Sequence, residues 1–183
     1  MLTGVVCFPD FLALRAGDRT GREVGMIIYF LRHAEAEDDA GSDFVRKLTA
    51  KGLEQAAKVG KFLRSAGIAP ELIVTSPVVR ARQTADIVAN ALKVDLSEEQ
   101  WLACGMSAAT CRRELAVHEG KASILLVGHE PDFSEVIADF IRLPDSGALH
   151  IRKASLTAVE WVQSGRGAAQ LQFLVPARLM SNT

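Results

Sequence analysis

Met26-Ile27-Ile28-Tyr29-Phe30-Leu31-Arg32-His33 is the stretch whose reading decides the fold. Six apolar residues in a row, rich in β-branched and aromatic side chains, predict a strand buried on both faces, the pattern of parallel sheets covered by helices. Arg32 and His33 then fall at its carboxyl end, where open α/β sheets carry their working groups. Two more strand ends repeat the arrangement: Leu72-Ile73-Val74-Thr75-Ser76-Pro77 leads to Arg80, and Ile124-Leu125-Leu126-Val127-Gly128 leads to His129. Two arginines and two histidines at three strand ends suit phosphoryl transfer, which needs phosphoryl oxygens neutralised and a positioned nucleophile.

Between these strands the periodicity turns helical. After a polar loop over Ala34 to Lys47, Thr49 is a plausible N-cap for a helix running to Gly67, with Leu53, Ala56, Ala57, Gly60 and Leu63 on its buried face. Ser76 is expected to cap a second helix that starts at Pro77 and ends near Leu92. A short strand is expected over Lys93 to Leu96, a helix from Ser107 to about His118, and another from Pro131 to about Leu143. The tail changes character: Ala154 to Gln163 and Ala168 to Val175 read as strands joined by the hairpin signal Ser164-Gly165-Arg166-Gly167. Strands alternating with helices, then a hairpin, predict a three-layer α/β/α sandwich with a mainly parallel twisted sheet and an antiparallel edge strand.

At 183 residues, 49% hydrophobic, the chain can bury a sizeable core, and residues 26–183 are expected to form a single domain. Residues 1–25 read as a poorly packed N-terminal extension, with Met26 a candidate start. Asp10, Asp18 and Glu23 argue against an organellar presequence, and Pro9 and Asp10 break any secretory apolar run. A net charge of −1 points to no nucleic acid and no anionic membrane surface, and no apolar stretch approaches the roughly 18 residues of a membrane-spanning helix. Three cysteines without a Cys-x-x-Cys suggest neither disulfides nor zinc, which fits a reducing, cytoplasmic setting. Among the four histidines no pair has ligand spacing, and nearby arginines would repel a cation, so no metal and no other cofactor is expected.

Arg80 and Arg82 lie roughly 200° apart around a helix, so one must be chosen for an anion. Arg80 is nearer the helix start, where free amides favour negative charge, and Arg82 reads as a solvated arginine. His33 can attack phosphorus through one ring nitrogen if the other donates to a carbonyl that fixes its tautomer. His129, after Gly128 and before Glu130-Pro131, would stabilise charge on the transferring group, and Ser76 is a further candidate phosphate contact.

Four ordered blocks now carry a resemblance: Ile28-Tyr29-Phe30-Leu31-Arg32-His33-Ala34-Glu35-Ala36, Leu48-Thr49-x-x-Gly52-x-x-Gln55-Ala56, Ser76-Pro77-x-x-Arg80-Ala81-x-Gln83-Thr84-Ala85 and Gly128-His129-Glu130-Pro131. Over about residues 26 to 175 the chain resembles the histidine phosphatase (phosphoglycerate mutase-like) superfamily, and within it the compact SixA-type phosphohistidine phosphatases. The resemblance implies a phosphoglycerate mutase-like fold, catalytic His33, His129, Arg32 and Arg80, a phospho-His33 intermediate and no metal. Ala34 stands where the wider superfamily usually has Gly. For a proton donor in the substrate pocket, the resemblance offers Glu99 by position, with Glu98 behind it.

Residues 81–128 leave no room for a large lid, which suits a phosphorylated side chain on a protein surface; the resemblance implies that this is phosphohistidine, and a signalling role and a monomer are the accompanying expectations. A small phosphomonoester substrate of the same superfamily, or a phosphate-binding module without catalysis, stand as the alternatives.

Overall fold

A computed structural model of the chain describes residues 25–38, 41–162 and 169–180. The expected 1–25 extension therefore lies outside the described residues except for Gly25, as does the Ser164-Gly167 turn. Six strands form one sheet: β1 (Met26–Arg32), β2 (Leu72–Thr75), β3 (Leu96–Glu98), β4 (Ser123–Gly128), β5 (Leu156–Trp161) and β6 (Gln170–Val175). Their order is β3-β2-β4-β1-β5-β6. The first four are mutually parallel, while β5 runs antiparallel to β1 and β6 to β5. The expected sandwich is thus present, with a two-stranded antiparallel margin.

Side-chain alternation along β1 divides the core. Tyr29 and Leu31 face one layer, together with Ala56, Val59 and Leu63 of α1 (Ala50–Ser65) and Ala81, Ala85 and Val88 of α2 (Val79–Leu92). Ile28 and Phe30 face the other layer, made by Leu115 of α3 (Ala108–Ala116) and by Phe133, Ile137 and Phe140 of α4 (Asp132–Ile141). Being covered on both sides is why β1 reads as an unbroken apolar run rather than an alternating one.

Thr49 caps α1, its Oγ1 accepting from the Gly52 amide at 3.0 Å. Leu53 and Ala57, assigned to the buried face, are exposed; Gly52 and Val59 are buried instead, so the inward stripe is rotated toward the helix's other edge. The expected cap of α2 also differs. Its N-cap is Val78, two residues beyond Ser76, whose Oγ accepts the Val78 amide rather than one inside the helix. The short strand begins at Leu96 rather than Lys93, since Lys93 takes a left-handed conformation that terminates α2.

Gly52 sets how closely α1 leans on the segment after β1. A Cβ there would lie 1.9 Å from the carbonyl oxygen of Glu35, two residues beyond His33. Gly52→Ala gains about 1 kcal/mol of helix propensity. It also forces main chain apart, a strain typically worth about 1–3 kcal/mol and here at the steep end. The clash wins, and urea denaturation should show a net loss of about 1–2 kcal/mol; unchanged or raised stability would mean that the 34–36 segment yields freely.

Candidate active site

Register brings the site together. Arg32 pairs with Gly128 and Thr75 with Val127, so His33, Ser76 and His129 leave three adjacent strands at the same edge. The His33 amide donates to the Gly128 carbonyl at 2.9 Å, and the Ser76 amide to Val127 at 3.0 Å, carrying the ladders past the strand ends. Gly128 is required by a close approach, because a Cβ would meet the Phe133 ring at 2.8 Å. The two imidazole centroids end 5.2 Å apart.

His33 Nδ1 lies 2.8 Å from the Ala34 carbonyl oxygen, which can only accept, so Nδ1 carries the proton and donates. Nε2 is left bare, and the Arg80 Nε–H donates to it at 3.2 Å. Burial, joined by His129, Arg80 and Arg32, pushes the His33 pKa down to about 3, against the opposing pull of the Ala34 hydrogen bond. At neutral pH this ring is uncharged, with its lone pair in the crevice. His129 is pushed down to about 4 by burial and by Arg80, so it too is neutral.

Arg80 is the hub. Only 5% of its side chain is exposed. Besides His33, its Nη2 approaches His129 Nδ1 at 3.5 Å, while Nη1 donates to the Asp43 carbonyl at 2.7 Å and Nη2 to the Asp43 carboxylate at 3.0 Å. Thr84, one turn along α2, donates to the Arg80 carbonyl at 2.7 Å and accepts the Ala34 amide at 3.1 Å, tying the helix to the residue after His33. Arg32 donates through Nη1 to the Ile151 carbonyl at 2.8 Å, leaving its buried Nε without a partner among the described residues. Ser76 Oγ lies 2.9 Å from His129 Nε2 and accepts the Val78 amide at 3.2 Å.

Arg32, His33, Ser76, Arg80 and His129 are therefore gathered at one place, and Glu99 is not among them. Its amide donates to Thr75, which sets it beyond β2, and its carboxylate accepts from Ser97 at 3.0 Å. Among the described residues neither contact joins it to His33, Arg80 or His129. Glu98 pairs with Arg82, which also holds Asp86, so Arg82 is a solvated surface arginine as its helical position implied.

Two participants escaped sequence reasoning. Thr84 carried a usable signal, its i+4 spacing from Arg80. Asp43 carried none, since it stands in an acidic run with Glu35, Glu37, Asp38 and Asp39 from which composition selects no member. Its carboxyl is drawn below the ordinary range: burial works upward, but the Arg80 hydrogen bond and charge, with Arg46 at 2.7 Å, prevail. Asp43 is an internal anion resting on the guanidinium that a phosphate would need.

Comparison with known proteins agrees with this geometry. The family model described as the histidine phosphatase superfamily (branch 1) matches residues 28–103. The phosphohistidine phosphatase SixA of Escherichia coli (strain K12) is 27% identical over 151 residues, 80% of this chain and 92% of that protein. The phosphohistidine phosphatase SixA homolog of Haemophilus influenzae is 33% identical over 125 residues, covering 62% of this chain and 76% of that protein. The structure of the protein histidine phosphatase SixA complexed with tungstate superposes with a TM-score of 0.78 at 22% identity, over 85% of this chain and all of that one, a shared fold. A sheet that sets Arg32, His33, Arg80 and His129 around one crevice, and relatives matched over most of their length, lead to one assignment: the chain belongs to the histidine phosphatase superfamily.

Proposed function

We propose that the protein is a metal-independent phosphatase that removes phosphoryl groups from phosphohistidine on a protein, by way of a phosphorylated His33. Membership of the superfamily supports a phosphatase. The observation that carries the finer reading is the bare Nε2 of His33, held neutral and aimed at Arg80 by the Nδ1–H donated to Ala34.

In the first step a bond forms from His33 Nε2 to phosphorus while the bond from phosphorus to the substrate's ring nitrogen breaks, and the departing imidazole keeps the proton it brings. Such a leaving group is basic enough to arrive protonated, so no carboxylic acid is needed. In the second step water attacks phosphorus, the bond to Nε2 breaks, inorganic phosphate leaves and His33 returns neutral. Arg32 and Arg80 neutralise the equatorial oxygens, and two guanidinium groups in the crevice disfavour a bound metal cation. Arg80 must first exchange Asp43 for phosphate. A doubly charged phosphoryl group outbids one carboxylate that is 65% exposed and returns to water at little cost. Once Arg80 turns to phosphate, the Ser76 hydroxyl can donate to His129 Nε2, which frees a proton at Nδ1 for a phosphoryl oxygen.

Residues 81–128 fold into the remainder of α2, β3, α3 and β4, with no covering domain, which favours a phosphorylated side chain on a large partner. Small phosphomonoesters are the second reading, because the four central groups grip a phosphoryl group without reading what it leaves. Relative turnover of a phosphohistidine protein and a panel of monoesters separates the two.

His33→Ala should lower kcat by at least about 10³-fold on any substrate while the fold is kept. Labelled substrate should yield an acid-labile, alkali-stable phosphoenzyme mapping to His33; a label elsewhere refutes the nucleophile. Arg80→Ala should reduce kcat/KM by about 10²–10³-fold, mostly in kcat, and a change confined to KM would make Arg80 a uniform binder. Ring NMR of the free protein should find both imidazoles uncharged at pH 6, titrating near 4 for His129 and 3 for His33. The native values lie below the unfolded value of about 6.5, so stability should fall as pH drops below it, by roughly 1.4 kcal/mol per pH unit per histidine, until about pH 4 for His129 and about pH 3 for His33. A midpoint near 6.5 for His33 would contradict the neutral nucleophile.

A further inference from the structure

A groove of about 540 Å³ runs between α1 and the short turn Ala177–Leu179, lined by Lys51, Lys58, Lys61 and Arg178 with Glu54 as its one acid. Four cations against one carboxylate is a strong local excess in a chain whose net charge is −1. Lys51 is engaged, its Nζ 2.7 Å from Glu35. Lys58, Lys61 and Arg178 have no ion pair or side-chain hydrogen bond among the described residues.

The groove starts at the reaction centre's doorstep. Its Lys51 end belongs to the first turn of α1, which rests on Glu35 through Gly52 and through the Thr49 hydroxyl, 3.2 Å from the Glu35 carboxylate. Glu35 follows His33 by two residues. From Lys51 to Lys61 the helix rises about 15 Å. An extended segment of about five residues covers that length.

We propose that this groove docks an acidic stretch of the phosphorylated protein, lying beside the phosphohistidine while His33 receives the phosphoryl group. This rests on the reading of a protein as substrate and adds to it the charge and position of the surface that is recognised. Unpaired exposed cations gain a partner without first giving one up, and their field reaches about one Debye length to steer the encounter.

The test uses the full chain and two synthetic peptides, each with one phosphohistidine, followed in one by six glutamates and in the other by six glutamines. At low salt kcat/KM should favour the glutamate peptide by about tenfold or more. That preference should vanish in Lys58→Glu/Lys61→Glu/Arg178→Glu, and in about 1 M salt, where the screening length is about 3 Å. Para-nitrophenyl phosphate turnover should stay within about twofold, and the Lys→Gln and Arg→Gln counterpart should lie between wild type and the reversal. A glutamate-to-glutamine ratio near one, or a preference that survives reversal, overturns the groove. So does equal competition by decathymidylate, which would mark a surface for any polyanion. If the aryl phosphate is hydrolysed but neither peptide is, the phosphohistidine reading fails by itself. Binding of the same peptides, fluorescently labelled, to the His33→Ala chain then decides the groove on the same tenfold criterion.

Discussion

Burying the Arg80 guanidinium beside two neutral imidazoles is costly, and Asp43, the one carboxylate that it touches among the described residues, is itself mostly in water. Arg32 has a second carboxyl nearby, the half-buried Glu130, whose charge acts on it. Burial is the main reason that both histidines are depressed, and a proton added to either ring would in addition meet the charges of Arg80 and Arg32.

The sheet supplies the rigidity that this arrangement needs. With β2, β4 and β1 as parallel neighbours, three carboxyl ends lie side by side, and ladder hydrogen bonds continue through the Ser76 and His33 amides. Small residues then let layers close on that edge: Gly52 admits the main chain of Glu35, and Gly128 admits the Phe133 ring. Thr84 links α2 back to Ala34, so the helix that carries Arg80 and the strand that carries His33 cannot drift apart without breaking a buried hydrogen bond. His33 and Arg80 come from different layers yet share one frame.

Charge is distributed unevenly outside the crevice. Acidic residues at its mouth, Glu35 and Asp43, are each held by a cation, whereas Lys58 and Lys61 farther along α1 have no ion pair among the described residues.

Much of the frame was legible in the residues themselves. The apolar run before Arg32, the Thr49 cap, the stop at Gly67 and the change to β-rich segments after Ala154 depend on local sterics and hydrogen bonding, which a linear pattern records. The four strand-end groups could be named because a buried parallel strand leaves few places for a polar residue. What only the tertiary structure decided are the relations between segments: which face of α1 turns inward, that Ser76 meets His129 as well as the Val78 amide, that Glu99 turns to Ser97, and that Asp43 rests on Arg80. Those outcomes turn on strand order, register and desolvation, energies that exist between residues distant along the chain and leave no mark on the neighbours of either one.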